Sequence, residues 1–263
     1  ALHCLSADFI AGKMMLVRAM ILGLELDIVS PNGNVLDENP TVYNFAAMVP
    51  IQVVNAMSQI NQVKTLLIGG AAPSATLLQQ LQSKETNSFV TYGMTETLTH
   101  IASRSVKSKD TVFNVLPGVQ ITQDARQCLN IEVQYLTKDT VVTNDLVTIV
   151  SDTSFTLLGR VDHIINSGGV KVIPEAVEEK ISSLIACPFF ITSIGDEQLG
   201  QKVILILEQK EDTQNILGLI KEKQVLSTYE LPKNVFFLDA FEYSENGKLK
   251  RQATTAKLEA RPY

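Results

Sequence analysis

Short apolar runs alternate with amphipathic stretches in the first third of the chain, and this alternation is the strongest constraint on its fold. The apolar runs are 26–29, 42–49, 65–68 and 88–91. Runs of this length that are apolar on both faces are typical of strands in a parallel sheet covered on both sides. Between them, Pro50 stands at a favourable first helical position, Ser74 precedes leucines at helical spacing, and another helix fits 10–22. The order predicts an α/β fold over residues 1–96.

The pattern changes twice further along the chain. From Thr97 onwards, short alternating segments separated by turn residues predict a mainly antiparallel β region that reaches residue 161. After it, a Gly-rich turn, a helix that begins at Pro174 and further strands and helices predict a compact α+β unit. Its length of about a hundred residues is normal for a small domain. We therefore expect two domains, 1–161 and 162–263, with the boundary near Asp162.

Composition narrows the classes of function. The 263 residues include 22 Lys+Arg and 28 Asp+Glu, a net charge of −6, and the absence of a basic block disfavours nucleic-acid binding. The most apolar window, Met14 to Val29, contains charged residues and falls short of the roughly 20 apolar residues that a membrane span needs. The 3 cysteines are odd in number and far apart, which argues against a disulfide framework and fits a reducing cytoplasm.

Two segments follow predicted strands of the α/β region. Thr91 to Glu96 combines a glycine, a threonine hydroxyl that can bind phosphate and a carboxylate suited to Mg²⁺. Gly69 to Ala72 is small enough for a ligand to lie against the backbone, but it lacks the dinucleotide and Walker fingerprints. Ligands bind beyond the carboxyl ends of strands in such sheets, which favours a binding site here. Taken alone, each segment also fits an ordinary turn.

Further segments place charged residues near glycines. Asp145 and Arg160 can hydrogen-bond the hydroxyls of one sugar, although such a pair is also common on protein surfaces. Gly168-Gly169 fits a ligand-facing loop or a plain hairpin turn. Lys248 follows a glycine and can stabilise negative charge on a reacting carboxylate or phosphate, while the segment alone fits a solvated basic turn.

The order and spacing of these segments resemble those of the adenylate-forming superfamily, which contains acyl-CoA synthetases, adenylation domains and luciferases. Residues 92–96 (YGMTE) resemble its aromatic-G-x-T-E motif, residues 159–178 (GRVDHIINSGGVKVIPEAVE) its hinge motif, and residues 245–251 (ENGKLKR) its catalytic-lysine motif. The resemblance extends along the whole chain. It implies that 1–161 is the C-terminal part of a large domain and that 162–263 is a small mobile domain.

The resemblance implies ligand contacts for residues of the first domain. Contacts with the nucleotide and the acyl group are implied for Gly69, Gly70, Ala71, Ala72, Tyr92, Gly93, Met94, Thr95, Asp145 and Arg160. Within this set, Asp145 and Arg160 are implied to bind the ribose, and Thr95 to contact phosphate as part of the catalytic machinery. Glu96 is the implied catalytic ligand of Mg²⁺.

For the second domain, the resemblance implies residues that act on CoA and on the adenylation step. Gly168 and Gly169 are implied to line the pantetheine path of CoA, and Lys171 to meet an anionic group of the ligands. Lys248 is the implied catalytic lysine of adenylate formation. Asp162 is the implied hinge about which the small domain turns.

The chain departs from the superfamily pattern at three points. Nothing matches the Ser/Thr/Gly-rich phosphate loop, Phe9 stands where many members have His, and Asn144 stands where Gly is usual. The chain also begins with Ala1 and not with Met. We therefore expect that it begins inside the large domain of a longer protein.

Within the superfamily, the short β region and residues 4–15, 143–145 and 166–171 are similar to compact bacterial o-succinylbenzoate-CoA ligases of menaquinone biosynthesis. This resemblance implies a cytoplasmic AMP-forming ligase that activates a small-molecule carboxylate with ATP and Mg²⁺ and transfers the acyl group to CoA. It implies no tightly bound prosthetic group and allows a homodimer. Another acyl- or aryl-CoA ligase, and a non-catalytic fragment, stay open as alternatives.

Overall fold

The computed structural model describes residues 1–36, 41–108, 110–134, 139–211, 215–244 and 248–259. The chain divides into two compact units. The first consists of Ala1–Thr143 and Thr148–Leu157, and the second of Asn144–Val147 and Leu158–Tyr263. Among the described residues, no helix is long and apolar enough to cross a membrane.

The first unit carries the large sheet and the helices that pack with it. Its helices are α1 (Ile10–Leu22), α2 (Pro50–Asn55) and α3 (Ala75–Gln82). The strands of the sheet are β1 (Leu2–His3), β2 (Asp27–Ile28), β3 (Tyr43–Met48), β4 (Val63–Ile68), β5 (Asn87–Gly93), β6 (His100–Ser105), β7 (Val112–Val115), β8 (Val119–Gln123), β9 (Cys128–Val133), β10 (Val141–Ser151) and β11 (Ser154–Arg160). The last two strands also supply residues to the second unit.

The strands pair in the order β2-β1-β3-β4-β5-β6-β7-β11-β10-β9-β8. The pairs from β2 to β5 are parallel, whereas β6 pairs antiparallel with both β5 and β7. The α/β prediction for the first third is therefore confirmed. The β-rich region after residue 96 continues the same sheet, because β6 extends directly from the edge strand of the parallel part.

The two strands at the outer edge of this sheet differ from the sequence prediction. The run 26–29 is wrong as a strand buried on both faces, since both residues of β2 are exposed and Ile28 retains 69% of its accessible surface. β2 pairs with β1 at the end of the described sheet order, which leaves it little to pack against. β1 itself was not predicted, because two residues are too few to carry a periodic signal.

The second unit is an α+β structure with helix segments on both faces of a small sheet. Its strands are β12 (Ile165–Ser167), β13 (Val170–Val172), β14 (Phe189–Asp196), β15 (Gly200–Glu208) and β16 (Asn234–Leu238), and its helices are α4 (Pro174–Ile181), α5 (Ile216–Lys223) and α6 (Arg251–Glu259). The sheet order is β13-β12-β15-β14, and β16 adds parallel to β15. α4 and α5 pack into one apolar cluster, whereas Leu258 of α6 packs against another that includes Phe190. The predicted α+β class is confirmed.

Tyr92, Phe113 and Phe155 form an aromatic cluster in the core of the first unit, and a substitution in it tests the packing. Phe155 is fully buried, with its ring centroid 5.2 Å from that of Tyr92 and 5.6 Å from that of Phe113. We expect Phe155→Ala to lower the free energy of unfolding by about 3–5 kcal/mol, because the cavity removes these contacts. Val150→Ala is the control, since Val150 is 56% exposed, and it should cost about 1 kcal/mol or less. Urea unfolding followed by circular dichroism measures both, and equal losses would contradict the assignment of Phe155 to the core.

Candidate functional site

The carboxyl ends of β4 and β5 form the first part of the candidate site. The two strands are parallel neighbours, with Ile68 opposite Val90, so the segments that follow them lie at the same edge of the sheet. The Thr91 hydroxyl donates a hydrogen bond of 3.1 Å to the Ile68 carbonyl. A Cβ at Gly69 would lie 2.6 Å from the Thr91 oxygen, so this close approach requires glycine. The structure thus brings the two predicted nucleotide segments together.

The first of these segments is open to a ligand. Gly70 has φ +85°, a backbone conformation that side chains rarely adopt, and it is exposed. Ala71 is partly buried and Ala72 is exposed. Ser74 is the N-cap of α3, and its hydroxyl accepts a hydrogen bond of 3.2 Å from the Leu77 nitrogen. Because Gly69 to Ala72 have small side chains or none, a ligand can reach the backbone of this segment.

The second segment turns sharply after β5. A Cβ at Gly93 would lie 2.5 Å from both the His100 Cα and the Thr99 carbonyl oxygen, so only glycine fits. Met94 is partly buried and its nitrogen donates to the Thr97 hydroxyl at 3.1 Å, while Thr97 itself is fully buried. This bond fixes the 3-10 turn Thr95–Thr97 and leaves Thr95 exposed. Sequence reasoning missed Thr97, because its role depends on a bond that only the folded turn forms.

Two predicted residues of this segment face different surroundings. Tyr92 is 8% exposed and its ring belongs to the aromatic cluster with Phe113 and Phe155, so little of the ring remains for a ligand. Glu96 is exposed and makes no hydrogen bond or ion pair with the described residues. A single carboxylate fits Mg²⁺ that takes its other ligands from phosphates and water. No cluster of three or more His, Cys, Asp or Glu side chains that could hold a metal ion occurs among the described residues.

An arginine of the second unit joins two carboxylates. Arg160 donates from Nη1 to Asp145 Oδ1 at 2.9 Å and from Nη2 to Asp162 Oδ2 at 2.8 Å. Asn144 adds hydrogen bonds from its amide to both Asp162 oxygens, at 3.0 and 3.1 Å. The side chain of Asp145 is 13% exposed and that of Arg160 is 44% exposed. The predicted ribose pair is therefore in direct contact, and the predicted hinge residue Asp162 belongs to the same network.

The electrostatics of this network follow from its contacts. The hydrogen bond from Arg160 is the main cause that holds the pKa of Asp162 below its usual value, and the bond from Asn144 acts in the same direction. Burial lowers the pKa of Arg160, but its bonds to Asp162 and Asp145 outweigh that effect and raise it. Asn144, which stands where the superfamily usually has glycine, thus contributes to keeping Asp162 ionised.

The glycine pair lies in the turn between β12 and β13. Gly168 and Gly169 have φ of +58° and +80°, the conformation of a tight two-residue hairpin turn, and both are exposed. Lys171 on β13 is exposed and unpaired within the described part of the chain. It lines a shallow cavity of about 210 Å³ together with Tyr229. The hairpin and the cation are therefore available to a ligand.

Lys248 pairs through its backbone with Ser244, and the described residues Tyr243, Ser244 and Lys248 to Lys250 are called the Lys248 turn below. Its nitrogen donates to the Ser244 hydroxyl at 2.9 Å, and its carbonyl accepts from the Ser244 nitrogen at 2.8 Å. Tyr243 and Leu249 form an antiparallel bridge beside it. The Lys248 side chain is exposed. Residues 245–247, which begin the catalytic-lysine motif, lie outside the described residues.

The structure adds a cationic position that sequence reasoning missed. Arg18 of α1 is half-buried, with its guanidinium 5.4 Å from the Phe45 ring centre and 3.5 Å from the Met15 sulfur. It has no carboxylate partner among the described residues. Burial, and then the charge of Arg18, lower the pKa of His100. A charged residue that interrupts an apolar helix was the available signal, but the sequence does not show what surrounds it.

Comparisons with known proteins agree with this fold. A protein described as an AMP-forming acyl-CoA synthetase/AMP-acid ligase II-like protein from Dyadobacter fermentans is 34% identical, with a TM-score of 0.60, over 98% of this chain and 77% of that one. The o-succinylbenzoate coenzyme A synthetase of Bacillus subtilis, solved with ATP and magnesium ion, has a TM-score of 0.79 at 19% identity, over 97% of this chain and 61% of that one. No family model matches the chain.

Curated relatives cover the chain less completely. The 2-succinylbenzoate-CoA ligase of Escherichia coli is 26% identical over 79% of this chain and 49% of its own length. That of Lactococcus lactis is 23% identical over 80% of this chain and 51% of its own length. The chain thus spans about half the length of these curated relatives.

The fold, the order of motifs and these similarities place the chain in the adenylate-forming superfamily. Within that superfamily, the chain belongs to the family of AMP-forming acyl-CoA synthetases and AMP-acid ligases, as its identity with the Dyadobacter protein shows.

The Arg160 network predicts a change in the titration of Asp162. We expect Arg160→Gln to raise the pKa of Asp162 towards its ordinary value, because the main stabilising donor is removed. A lowered pKa stabilises the folded chain above the pKa of the unfolded carboxyl, about 3.9, and this contribution is lost as the pH falls through the folded pKa. Carbon-detected NMR titration measures the shift.

Asp196 is the matched control for this titration. Backbone hydrogen bonds from Leu199 and Gln198 lower its pKa, so it should be unaffected by Arg160→Gln. An unchanged pKa of Asp162 in the variant would show that Arg160 does not govern it.

Proposed function

We propose that the chain is part of an AMP-forming acid-CoA ligase, and specifically of an o-succinylbenzoate-CoA ligase. One observation carries the proposal: Thr95 and Glu96 are exposed beside the glycine-rich end of β4, at the edge where parallel sheets bind ligands. Family membership and the names of the curated relatives support the same activity.

The proposed reaction has two steps. A carboxylate oxygen attacks the α-phosphorus of ATP, the bond to the pyrophosphate oxygen breaks, and an acyl-adenylate forms. The sulfur of CoA then attacks the acyl carbon, the bond to AMP breaks, and the thiol proton is released. Both steps concentrate negative charge, so stabilisation by position and electrostatics is the main requirement.

The first unit supplies the phosphate end of this site. The backbone of Gly69 to Ala72 and of Gly93 and Met94 borders the nucleotide, and the exposed Thr95 hydroxyl donates to a phosphate oxygen. Glu96 would hold Mg²⁺, which would offset the charge of the phosphates. In the alternative interpretation, Glu96 is a solvated carboxylate of an ordinary turn. The two are distinguished by whether replacing Glu96 changes the Mg²⁺ dependence of pyrophosphate release.

The second unit supplies the remaining functions. Asp145 and Arg160 hydrogen-bond the ribose hydroxyls, and the ammonium of Lys248 stabilises charge during adenylate formation. The exposed Gly168-Gly169 turn borders CoA, with Lys171 against one of its anionic groups. We propose that 162–263 is a small mobile domain and that Asp162 is its hinge.

Arg18 supports a substrate that keeps a negative charge. Succinylbenzoate carries two carboxylates, and only one of them is activated in the proposed reaction. A half-buried guanidinium without a described acidic partner is suited to the second. A cytoplasmic location and a homodimer accompany this proposal as expectations of the family resemblance.

Substrate-dependent release of pyrophosphate by the full-length gene product tests the function. We expect release with o-succinylbenzoate to exceed release with benzoate or a fatty acid. Arg18→Met should raise the KM for o-succinylbenzoate about tenfold or more, because a hydrogen bond to a charged group is lost. Lys64→Met is the control, since Lys64 is an exposed cation on β4.

Faster release of pyrophosphate with benzoate or a fatty acid would favour another acyl- or aryl-CoA ligase. Nucleotide binding without release of pyrophosphate would favour the non-catalytic alternative.

Lys248→Ala tests the division of roles between the two steps. We expect adenylate formation to be lost while thioester formation from preformed acyl-adenylate is retained, because the ammonium is needed only where phosphate charge develops. Lys233→Ala, which removes another exposed cation of the second unit, should leave both steps intact. Equal losses in both half-reactions would contradict the role of Lys248.

A further inference from the structure

A largely buried ion pair lies next to the Lys248 turn. Arg251, the first residue of α6, follows Lys248 by three residues. Its guanidinium donates from Nη1 to Glu178 Oε1 at 2.5 Å and from Nη2 to Glu178 Oε2 at 2.8 Å. The two side chains are only 18% and 17% exposed. A bidentate pair of this kind fixes orientation as well as distance.

The same pair binds the free edge of β14. Among the described strands β14 pairs with β15, which leaves backbone groups on its other edge to be satisfied. The Ile191 nitrogen donates to Glu178 Oε1 at 2.7 Å, and the Ile191 carbonyl accepts from Arg251 Nη1 at 3.0 Å. The guanidinium also lies 5.5 Å from the ring centre of Phe190. Arg251 is therefore held to α4 and to the sheet at once.

The backbone carries this anchor to Lys248. The Lys250 nitrogen donates to the Glu242 carbonyl at 2.8 Å, and the Thr254 nitrogen donates to the Lys250 carbonyl at 2.9 Å. The Lys248 turn is thus held in two ways. Its own residues pair antiparallel, and Arg251, which follows it in the chain, is bound to Glu178 and to β14. The exposed Lys248 side chain has no partner among the described residues that could place it.

Glu175 extends the cluster towards the predicted hinge. Its Oε1 contacts His163 Nδ1 and lies 3.8 Å from Arg251 Nη2. Burial raises the pKa of Glu175, but the bond from His163 and the charge of Arg251 outweigh it and lower the pKa overall. The turn Val161–His163 and the start of α6 therefore share one charged cluster.

We propose that Arg251 is a positioning residue, which through its pair with Glu178 holds the Lys248 turn in the geometry that adenylate formation needs. The inference rests on the proposed function for the step that it serves. The anchoring itself is a property of the second unit and can be measured without any reaction.

Hydrogen exchange tests the anchoring. The double variant Arg251→Met with Glu178→Gln removes both charges and keeps an acceptor for the Ile191 nitrogen. We expect the amides of Ser244, Lys248 and Lys250 to exchange about tenfold faster or more, while those of β15 stay protected. Lys180→Gln is the control, since Lys180 lies on the same helix α4 as Glu178 and the change breaks its 2.5 Å ion pair with Glu230. Unchanged exchange in the turn would overturn the proposal.

A second variant covers loss of folding. If the amides of β15 lose protection from exchange in the double variant, the single variant Arg251→Lys is used in its place. Lysine keeps the positive charge but cannot make the bidentate pair. The same comparison then applies, with faster exchange in the Lys248 turn expected and unchanged exchange contradicting the proposal.

A double-mutant cycle tests the link to catalysis. We expect Arg251→Lys to lower kcat for pyrophosphate release about tenfold to a hundredfold, with little change in the KM for the acid and none in thioester formation. In a Lys248→Arg background, where a displaced cation leaves a residual rate to measure, the same change should have a much smaller effect, because Arg251 acts through Lys248. Additive losses would overturn the role. Absence of release from the unmutated full-length gene product would instead count against the proposed function, and the exchange result would still decide the anchoring.

Discussion

The parallel pairing of β4 with β5 is the constraint on which the candidate site depends. It aligns the ends of two strands, and the bond from the Thr91 hydroxyl to the Ile68 carbonyl joins them where the backbone turns away. A Cβ at Gly69 would collide with the Thr91 hydroxyl, and one at Gly93 with the backbone of Thr99 and His100. The first glycine therefore lets the two turns approach, and the second lets the chain turn back after β5. The exposed residues of both turns consequently face the same edge, where a phosphate group can meet them together.

The second unit uses two arginines in different ways. Arg160 bridges two carboxylates with a side chain that is 44% exposed, so it can exchange part of its bonding for a ligand. Arg251 makes a bidentate pair and reaches the backbone of β14 with a side chain that is only 18% exposed, so its donors stay committed to the protein. Accessibility, and not charge, separates a residue suited to bind from one suited to support.

Local signals predicted much of this fold. The helix at 10–22 and the helix start at Pro174 occur as predicted, since helical spacing and an N-terminal proline act within a few residues. The exposure of β2 could not be predicted, because it depends on which strand ends the sheet. At the site, the sequence identified the glycines and the charged residues by their order. It missed Thr97, Arg18 and Arg251, whose roles arise from contacts between segments and not from spacing.

The second unit is discontinuous in sequence, and this affects how the chain can be dissected. Asn144–Val147 belongs to it although ten residues of the first unit, Thr148–Leu157, follow before the chain returns. A fragment cut at the predicted boundary would lose Asp145 and Asn144, and with them two of the groups that hold Arg160 and Asp162. Limited proteolysis at one position therefore cannot release this unit with its charge network intact. A designed fragment of the second unit would have to include Asn144–Val147 as well.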